Sequence, residues 1–371
     1  MSGTFAIVGF FVGLIVIIMI HEGGHYLTAR LFGFRVLEYF VGFGPRVWSF
    51  RRGEIEYGLK AIPAGGYVKI AGMNPLQNDV PPGDEPRAYY AKPIWQRAIV
   101  ILAGPASHFV VAGLLFASLY LFVGDLSGAT RVGDVSPTID GRTSPAAVAG
   151  LQPGDTIVQV GDVADPTPAE LGEYQRAHLG EPIPFVIDRD GTRVEVTMTP
   201  VVERIEGEEI PRIGVLLAPV PRSPVGAFTQ GYADVWNFTK LSVGQIGRVF
   251  GPEGVGRVFT LLFTDEQRAI DDPTSVVGIG QQVGAIGSQG DWDYVVLVFG
   301  YVTLFIGLIN LVPLPPFDGG HLAVLLIERI RGRAVDMKKL IPVSAVVLIF
   351  LVTFVFATAI LDFTKPVPFQ P

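Results

Sequence analysis

Two histidines four residues apart, with a glutamate beside the first, stand at the end of an uncharged run. FAIVGFFVGLIVIIMI leads directly into HEGGH, residues 21–25. Positions i and i+4 of a helix share a face, so His21 and His25 can present nitrogens to one metal ion. Glu22 can then reach a water on that ion as general base. The chain has no cysteine, so thiolate sites are excluded and any zinc must be held by histidine and carboxylate. Zinc held this way lowers the pKa of its water towards about 7 and makes hydroxide available near neutral pH. By composition alone, H-E-x-x-H turns up in about one chain in a hundred. Its position adds weight, because ionisable groups at the end of a membrane-length run are costly unless they serve a purpose. Gly23 and Gly24 each cost about 1 kcal/mol of helix propensity, a loss offset where a neighbouring helix or a substrate must come close.

A catalytic zinc needs a third protein ligand and an open position. Asp318, in NLVPLPPFDGGH, lies at the far end of another apolar run, at a depth that matches HEGGH if both runs cross in the same direction. His321, three residues on, is the competing ligand. His108 lies inside a further apolar run, where an ionisable group is functional by default. It could bond the metal-bound oxygen or the substrate carbonyl, or bridge two helices as a neutral donor. His178 sits in a polar stretch and reads as a surface residue.

Hydrolysis within a membrane also needs water and an unwound substrate. Asn310 offers two donors and an acceptor to an extended backbone, and Pro313, Pro315 and Pro316 break the helix around it and free carbonyls. The alternating stretch 54–70, with Gly65, Gly66 and Tyr67 near its end, could offer an edge strand to the same substrate.

The elements that must position these groups are mostly apolar helices. Hydrophobic residues make up 49% of the 371 and charged residues 17%, below the roughly 25% of soluble domains. Uncharged runs over 5–20, 98–124, 294–317 and 340–361 approach or exceed the roughly 20 residues needed to cross a bilayer. The expected fold is a polytopic α-helical membrane protein with four transmembrane helices. A membrane-associated β segment follows the first helix, and a small α+β domain is inserted after the second. The start, MSGTF, has no basic residue and reads as the head of a retained helix rather than a cleaved leader. Lysines and arginines crowd 30–97 and 329–339, which places both loops in the cytoplasm and both termini and 125–291 outside. The net charge of −7 without a basic stripe gives no reason to expect nucleic acid.

The expected boundaries are 1–33 for helix one with HEGGH and 34–92 for a re-entrant β segment of short strands and a loop. They continue with 93–124 for helix two and 125–220 for the inserted domain, where QPGD and RDGT mark turns and TIVQVGD, PFVIDRD and RVEVTMT mark strands. The stretch 221–291 is expected as amphipathic helices on the membrane surface or against the bundle. Helix three follows at 292–328, a loop at 329–339 and helix four at 340–361.

These residues resemble the site-2 protease family of intramembrane zinc metalloproteases over nearly the whole chain. HEGGH is similar to its first-helix motif, GFGPRVW with GGYVKIAG to its membrane-re-entrant β segment, AGPASH to its second-helix Gly-Pro motif, and NLVPLPPFDGG to its Asn-Pro-Leu-Asp-Gly motif. SPAAVAGLQPGDTIVQVGD resembles the start of a bacterial PDZ domain. The resemblance implies a metalloendopeptidase of the bacterial plasma membrane, active near its cytoplasmic side. Its Zn2+ would be held by His21, His25 and Asp318, with Glu22 as base and substrate contacts at Asn310, Pro313, Gly65, Gly66 and Tyr67. It further implies single-pass membrane protein substrates, anti-sigma factors among them, cut after a first protease has trimmed them, with a PDZ domain that filters by size or docks trimmed ends. A single PDZ domain and the 223–291 segment look more like actinobacterial members. Signal-peptide remnants or a pro-sigma factor are the alternative substrates, and a non-catalytic PDZ-bearing membrane scaffold is the alternative class. Two departures stand out: Phe317 in place of the usual Leu, and His108 where the Gly-Pro motif usually ends in Asn.

Overall fold

A computed structural model describes residues 3–74, 77–124, 130–205 and 208–368. The chain divides into two compact units, Met1–Phe116 with Gly231–Pro371, and Ala117–Gln230.

The first helix, α1 (Gly3–Leu31), buries one stripe made of Ala6, Phe10, Leu14, Ile17, His21, His25 and Ala29. The steps of three and four residues keep that stripe on one face, so both histidines lie on the face the helix packs with. The opposite face is also apolar, with Phe5, Val8, Val12, Val16, Leu27 and Leu31 all exposed, the pattern of a helix solvated by lipid.

Two long strands follow, β1 (Val36–Arg52) and β2 (Ile55–Ile70). They replace the several short strands expected over 34–72, because each strand bends and serves two partners. Tyr39 pairs with Val68 on one side and Tyr57 on the other, and Phe40 pairs with Tyr67 and Gly58. Two strands thereby build a four-segment sheet in the order 66–70, 36–41, 55–59, 46–52, with 66–70 as an outer edge. The bends fall among glycines at positive φ, Gly42 (83°), Gly44 (84°) and Gly65 (141°), a region other residues rarely adopt. Ala29, Phe34, Val36, Ile55, Ile70, Val100 and Ile101 bury one cluster that locks this sheet between α1 and the start of α2 (Ile94–Phe122).

The second unit is a small α/β assembly. Its strands are β3 (Val132–Val135), β4 (Thr138–Ile139) and β5 (Arg142–Thr143), then β6 (Thr156–Val160) and β7 (Val163–Ala164) after the short helix α3 (Pro145–Val148). Helix α4 (Pro168–Ala177) follows, opened by a capping box in which Thr167 and Glu170 satisfy each other's amides. Strands β8 (Ile183–Arg189), β9 (Thr192–Met198), β10 (Val201–Ile205), β11 (Glu208–Arg212) and β12 (Val215–Leu217) complete it. The main sheet runs β7-β6-β8-β9, and β12 returns to pair with β3. Ile157, Val160, Leu171, Phe185, Ile187 and Met198 form its core. Full burial of a side chain of this size stabilises a domain by about 1.5–3 kcal/mol.

The remaining helices are α5 (Pro224–Phe250), α6 (Pro252–Phe263), α7 (Val276–Gln289), α8 (Trp292–Asn310), α9 (Asp318–Arg331) and α10 (Ile341–Thr364). Over 221–291 the exposed Trp236, Leu241, Phe259 and Phe263 of α5 and α6 differ from α7, whose glycines turn inward. Gly284 and Gly287 lie against Ile7 and Ala6 of α1, with no space for a Cβ. Small residues at such contacts let helix backbones approach where lipid removes the usual drive to bury apolar surface.

The third span, expected over 292–328 with its helix broken at the prolines, comprises two helices. Helix α8 stops at Asn310 and α9 starts at Asp318, with a turn over 311–317. Pro313, Pro315 and Pro316 supply no amides to continue the ladder, and Gly319 and Gly320 let the turn fold back. A Cβ at Gly319 would stand 2.3 Å from the Leu311 carbonyl oxygen, and one at Gly320 2.4 Å from the Pro315 nitrogen. Among the described residues four helices are long and apolar enough to cross a membrane: Gly3–Leu31, Ile94–Phe122, Trp292–Asn310 and Lys338–Thr364.

Candidate metal centre

His21 and His25 project from consecutive turns of α1 and meet Asp318 at the first position of α9. His21 Nε2 stands 3.1 Å from His25 Nε2, and Asp318 Oδ2 is 3.1 Å from the first and 3.3 Å from the second. Ligands around a tetrahedral zinc at 2.0–2.1 Å are separated by about 3.3 Å. The three atoms therefore already have the spacing of three corners of such a site. Asp318 Oδ2 is buried and accepts no hydrogen bond. A buried carboxylate oxygen without a donor, facing two imidazole nitrogens, is the arrangement a cation satisfies. The donor set fits zinc.

The site is built by close helix approach. A Cβ on Gly24 would fall 2.3 Å from the carbonyl oxygen of Ala103 in α2, so only glycine lets α1 and α2 touch there. From the other side, a Cβ on Gly104 would sit 2.2 Å from His25 Nε2 and 2.9 Å from His21 Cε1. Gly23 has ordinary space, with Tyr39 Oη at 3.6 Å as its nearest neighbour. Just beyond Gly104, Pro105 cannot supply an amide to the Ile101 carbonyl. One residue earlier, the Val100 carbonyl accepts from His25 Nδ1 at 2.7 Å.

Glu22 turns towards the sheet. Its Oε2 accepts the amide of Val68 at 3.0 Å, on the free side of edge segment 66–70. A cavity of about 450 Å³ follows that edge, bounded by Tyr67, Val68, Lys69, Ile70, Pro315 and Pro316. Gly65 and Gly66 are buried at the bend, and Gly66 has no room for a Cβ beside Met19 Sδ, at 2.7 Å. Tyr67 donates its hydroxyl to Glu38. Asn310 ends α8 with its Nδ2 donating to the Ile306 carbonyl at 3.0 Å, and Pro313 is exposed in the turn.

The other three histidines divide. His321 lines the edge-strand cavity and a second one of about 520 Å³, outside the convergence of ligand atoms. His108 reaches it indirectly, through His21. His178 is half-buried at the end of α4 in the second unit, stacked on Tyr174. Sequence reasoning assigned no roles to Gly104, Thr303 or the Val68 amide. Gly104 stands in AGPASH, where spacing alone gives it no function, while a lone Thr in an apolar run and a backbone amide carry no signal of their own.

Apolar spans around two histidines, a carboxylate set for zinc and a second carboxylate beside it define a membrane-embedded zinc metallopeptidase. The chain belongs to Peptidase family M50, whose profile matches residues 9–354. It is 34% identical to the zinc metalloprotease Rip1 of Mycobacterium tuberculosis, across 97% of this chain and 98% of that one. It is 31% identical to the metalloprotease MmpA of Caulobacter vibrioides (86% and 85% covered) and 27% identical to the zinc metalloprotease RasP of Geobacillus kaustophilus (90% and 92%).

Proposed function

We propose that the chain hydrolyses a peptide bond within the transmembrane segment of single-pass membrane proteins, with anti-sigma factors already trimmed by a first protease as the substrate class. The observation that carries this reading is the convergence of His21, His25 and Asp318 with Glu22 one residue away, on a first helix apolar enough to cross a membrane and just after a second such helix, Trp292–Asn310. His21, His25 and Asp318 would hold the zinc, which would supply a Lewis acid for the scissile carbonyl and a water of lowered pKa. Glu22 takes that water's proton and returns it to the departing amine, so one carboxylate serves as base and then acid. On this reading the substrate lies extended along 66–70, with Gly65, Gly66 and Tyr67 shaping the edge and Asn310 and Pro313 as further contacts. Support comes from the outer position of segment 66–70 in its sheet, the cavity beside it and the helix break at 311–317.

Lysines and arginines on both sides of the site favour a position near the cytoplasmic face of a bacterial plasma membrane, with both termini and residues 125–220 outside. That inserted domain is a PDZ domain on this reading. In its support, a groove of about 400 Å³ runs between α4 and β12, walled by Leu171, Gln175, Ile213 and Gly214, and suits a trimmed chain end adding beside the strand.

The test is co-expression with a tagged single-pass substrate. Wild type should release the cytoplasmic fragment and Glu22→Gln should not; equal cleavage by both would sink the mechanism.

A further inference from the structure

The two histidines of the metal centre are held by different kinds of partner. His25 Nδ1 meets the Val100 carbonyl at 2.7 Å. A carbonyl only accepts, so the proton sits on Nδ1 and the lone pair on Nε2. His21 Nδ1 meets a second imidazole, His108 Nε2, at 3.0 Å. Two neutral imidazoles can share one proton in either direction, and only one direction leaves His21 Nε2 free to ligate. On the far side of the ring, His108 Nδ1 stands 3.0 Å from Thr303 Oγ1 of α8. His108 is 1% exposed and Thr303 is fully buried, so water offers neither ring nitrogen another partner. Packing fixes the ring as well, since a Cβ on Gly307 would lie 2.6 Å from His108 Cβ.

We infer that His108, oriented by Thr303, is the positioning residue that sets the tautomer and ring plane of His21 for metal ligation. Thr303 Oγ1 accepts from His108 Nδ1–H, and His108 Nε2 accepts from His21 Nδ1–H. His21 Nε2 then keeps its lone pair towards His25 Nε2 and Asp318 Oδ2. The relay needs two nitrogens a ring apart. An asparagine at 108 would reach Thr303 or His21 but not both, so the histidine is what lets α8 act on a ligand of α1. The inference rests on His21 being a metal ligand. Partners of this kind are worth about 10–100-fold in metal affinity.

Full-length protein in detergent, titrated with a zinc chelator, tests this without any cleavage assay. Thr303→Val keeps the side chain's shape and removes the acceptor. It should weaken zinc by about 10–100-fold, as should His108→Leu, while Thr303→Ser stays near wild type. His108→Gln places an acceptor as far from the backbone as Nε2 and should recover much of the His108→Leu loss. Melting of the zinc-free proteins checks that each variant is folded. Wild-type zinc affinity in Thr303→Val overturns the inference whatever His108→Leu does, because ring packing alone would then account for His108. A distinct result, zinc retained at full affinity in His21→Ala, overturns the metal centre itself and the inference with it.

Discussion

Glu22 Oε2 accepts the amide of Val68 at 3.0 Å, so the carboxylate that neighbours the histidines also holds the edge of the sheet. The bond needs an acceptor but no charge. Glu22→Gln should therefore keep amide 68 protected in hydrogen exchange while cleavage falls by about 100- to 10,000-fold, the usual worth of a general base. Glu22→Ala should lose both. Exchange at 66–70 that is equally fast in both variants would mean that the bond does not anchor the edge.

The two glycines of HEGGH should behave oppositely. Gly24→Ala drives a Cβ into the Ala103 carbonyl and should destabilise the protein by about 1–3 kcal/mol through forced backbone shifts, weakening zinc with it. Gly23→Ala meets only ordinary contacts and should be neutral or stabilising by up to about 1 kcal/mol through helix propensity. Melting temperatures with and without zinc separate the two.

Asp318 and His321 compete for the third position on sequence grounds, and their placement separates them. Asp318→Ala should strip zinc from the purified protein, whereas His321→Ala should leave the metal content unchanged. Metal analysis that gives the reverse would reassign the ligand.

A buried ion pair outside the site ties α10 to the start of α7. Asp362 accepts from Arg268 at 2.7 Å, from the Ser275 amide at 3.1 Å and from the Gly278 amide at 3.0 Å. Arg268 is 4% and Asp362 2% exposed. Removing one partner of such a pair costs about 3–5 kcal/mol, so Asp362→Ala should lower the melting temperature by several degrees. An unchanged melt would show that the pair is not structural.

In the second unit, Arg189 grips Asp155 through two bonds, at 2.8 and 2.7 Å. These bonds hold its carboxyl below the usual value, helped by the Gln152 amide. A lowered folded pKa gives stability that is full above the unfolded value of about 3.9 and is lost as pH falls through the folded one. Asp155→Asn should speed exchange in β6 and β8 at neutral pH by about 30-fold, equivalent to about 2 kcal/mol. The difference from wild type should shrink below about pH 4. A gap that does not vary with pH would exclude the ion pair as its cause.

The sequence carried the chemistry further than the architecture. HEGGH points to two candidate ligands because helical spacing is local, and Asp318 could be added as a third candidate from the apolar runs that fix depth. The strands over 34–72 were visible, but not that 36–41 pairs on both sides, because alternation does not say how many partners a strand has. His108 stood out as an ionisable group in an apolar run, yet its tie to His21 and Thr303 depends on three helices meeting. Gly24 was legible as a cost, and only the crossing of α1 and α2 shows what that cost permits.

The break between α8 and α9 also bears on how the chain is closed upon itself. His21 and His25 ride on one unbroken rod, while Asp318 begins a separate short helix reached through a turn. An ion gripping all three would join α1 to the start of α9, closing a long loop that leaves only α9 and α10 beyond it. Loop-closure entropy grows only slowly with length, so one ion can hold that large circuit shut much as a disulfide would. Loss of the metal would then open that circuit while leaving α1 intact.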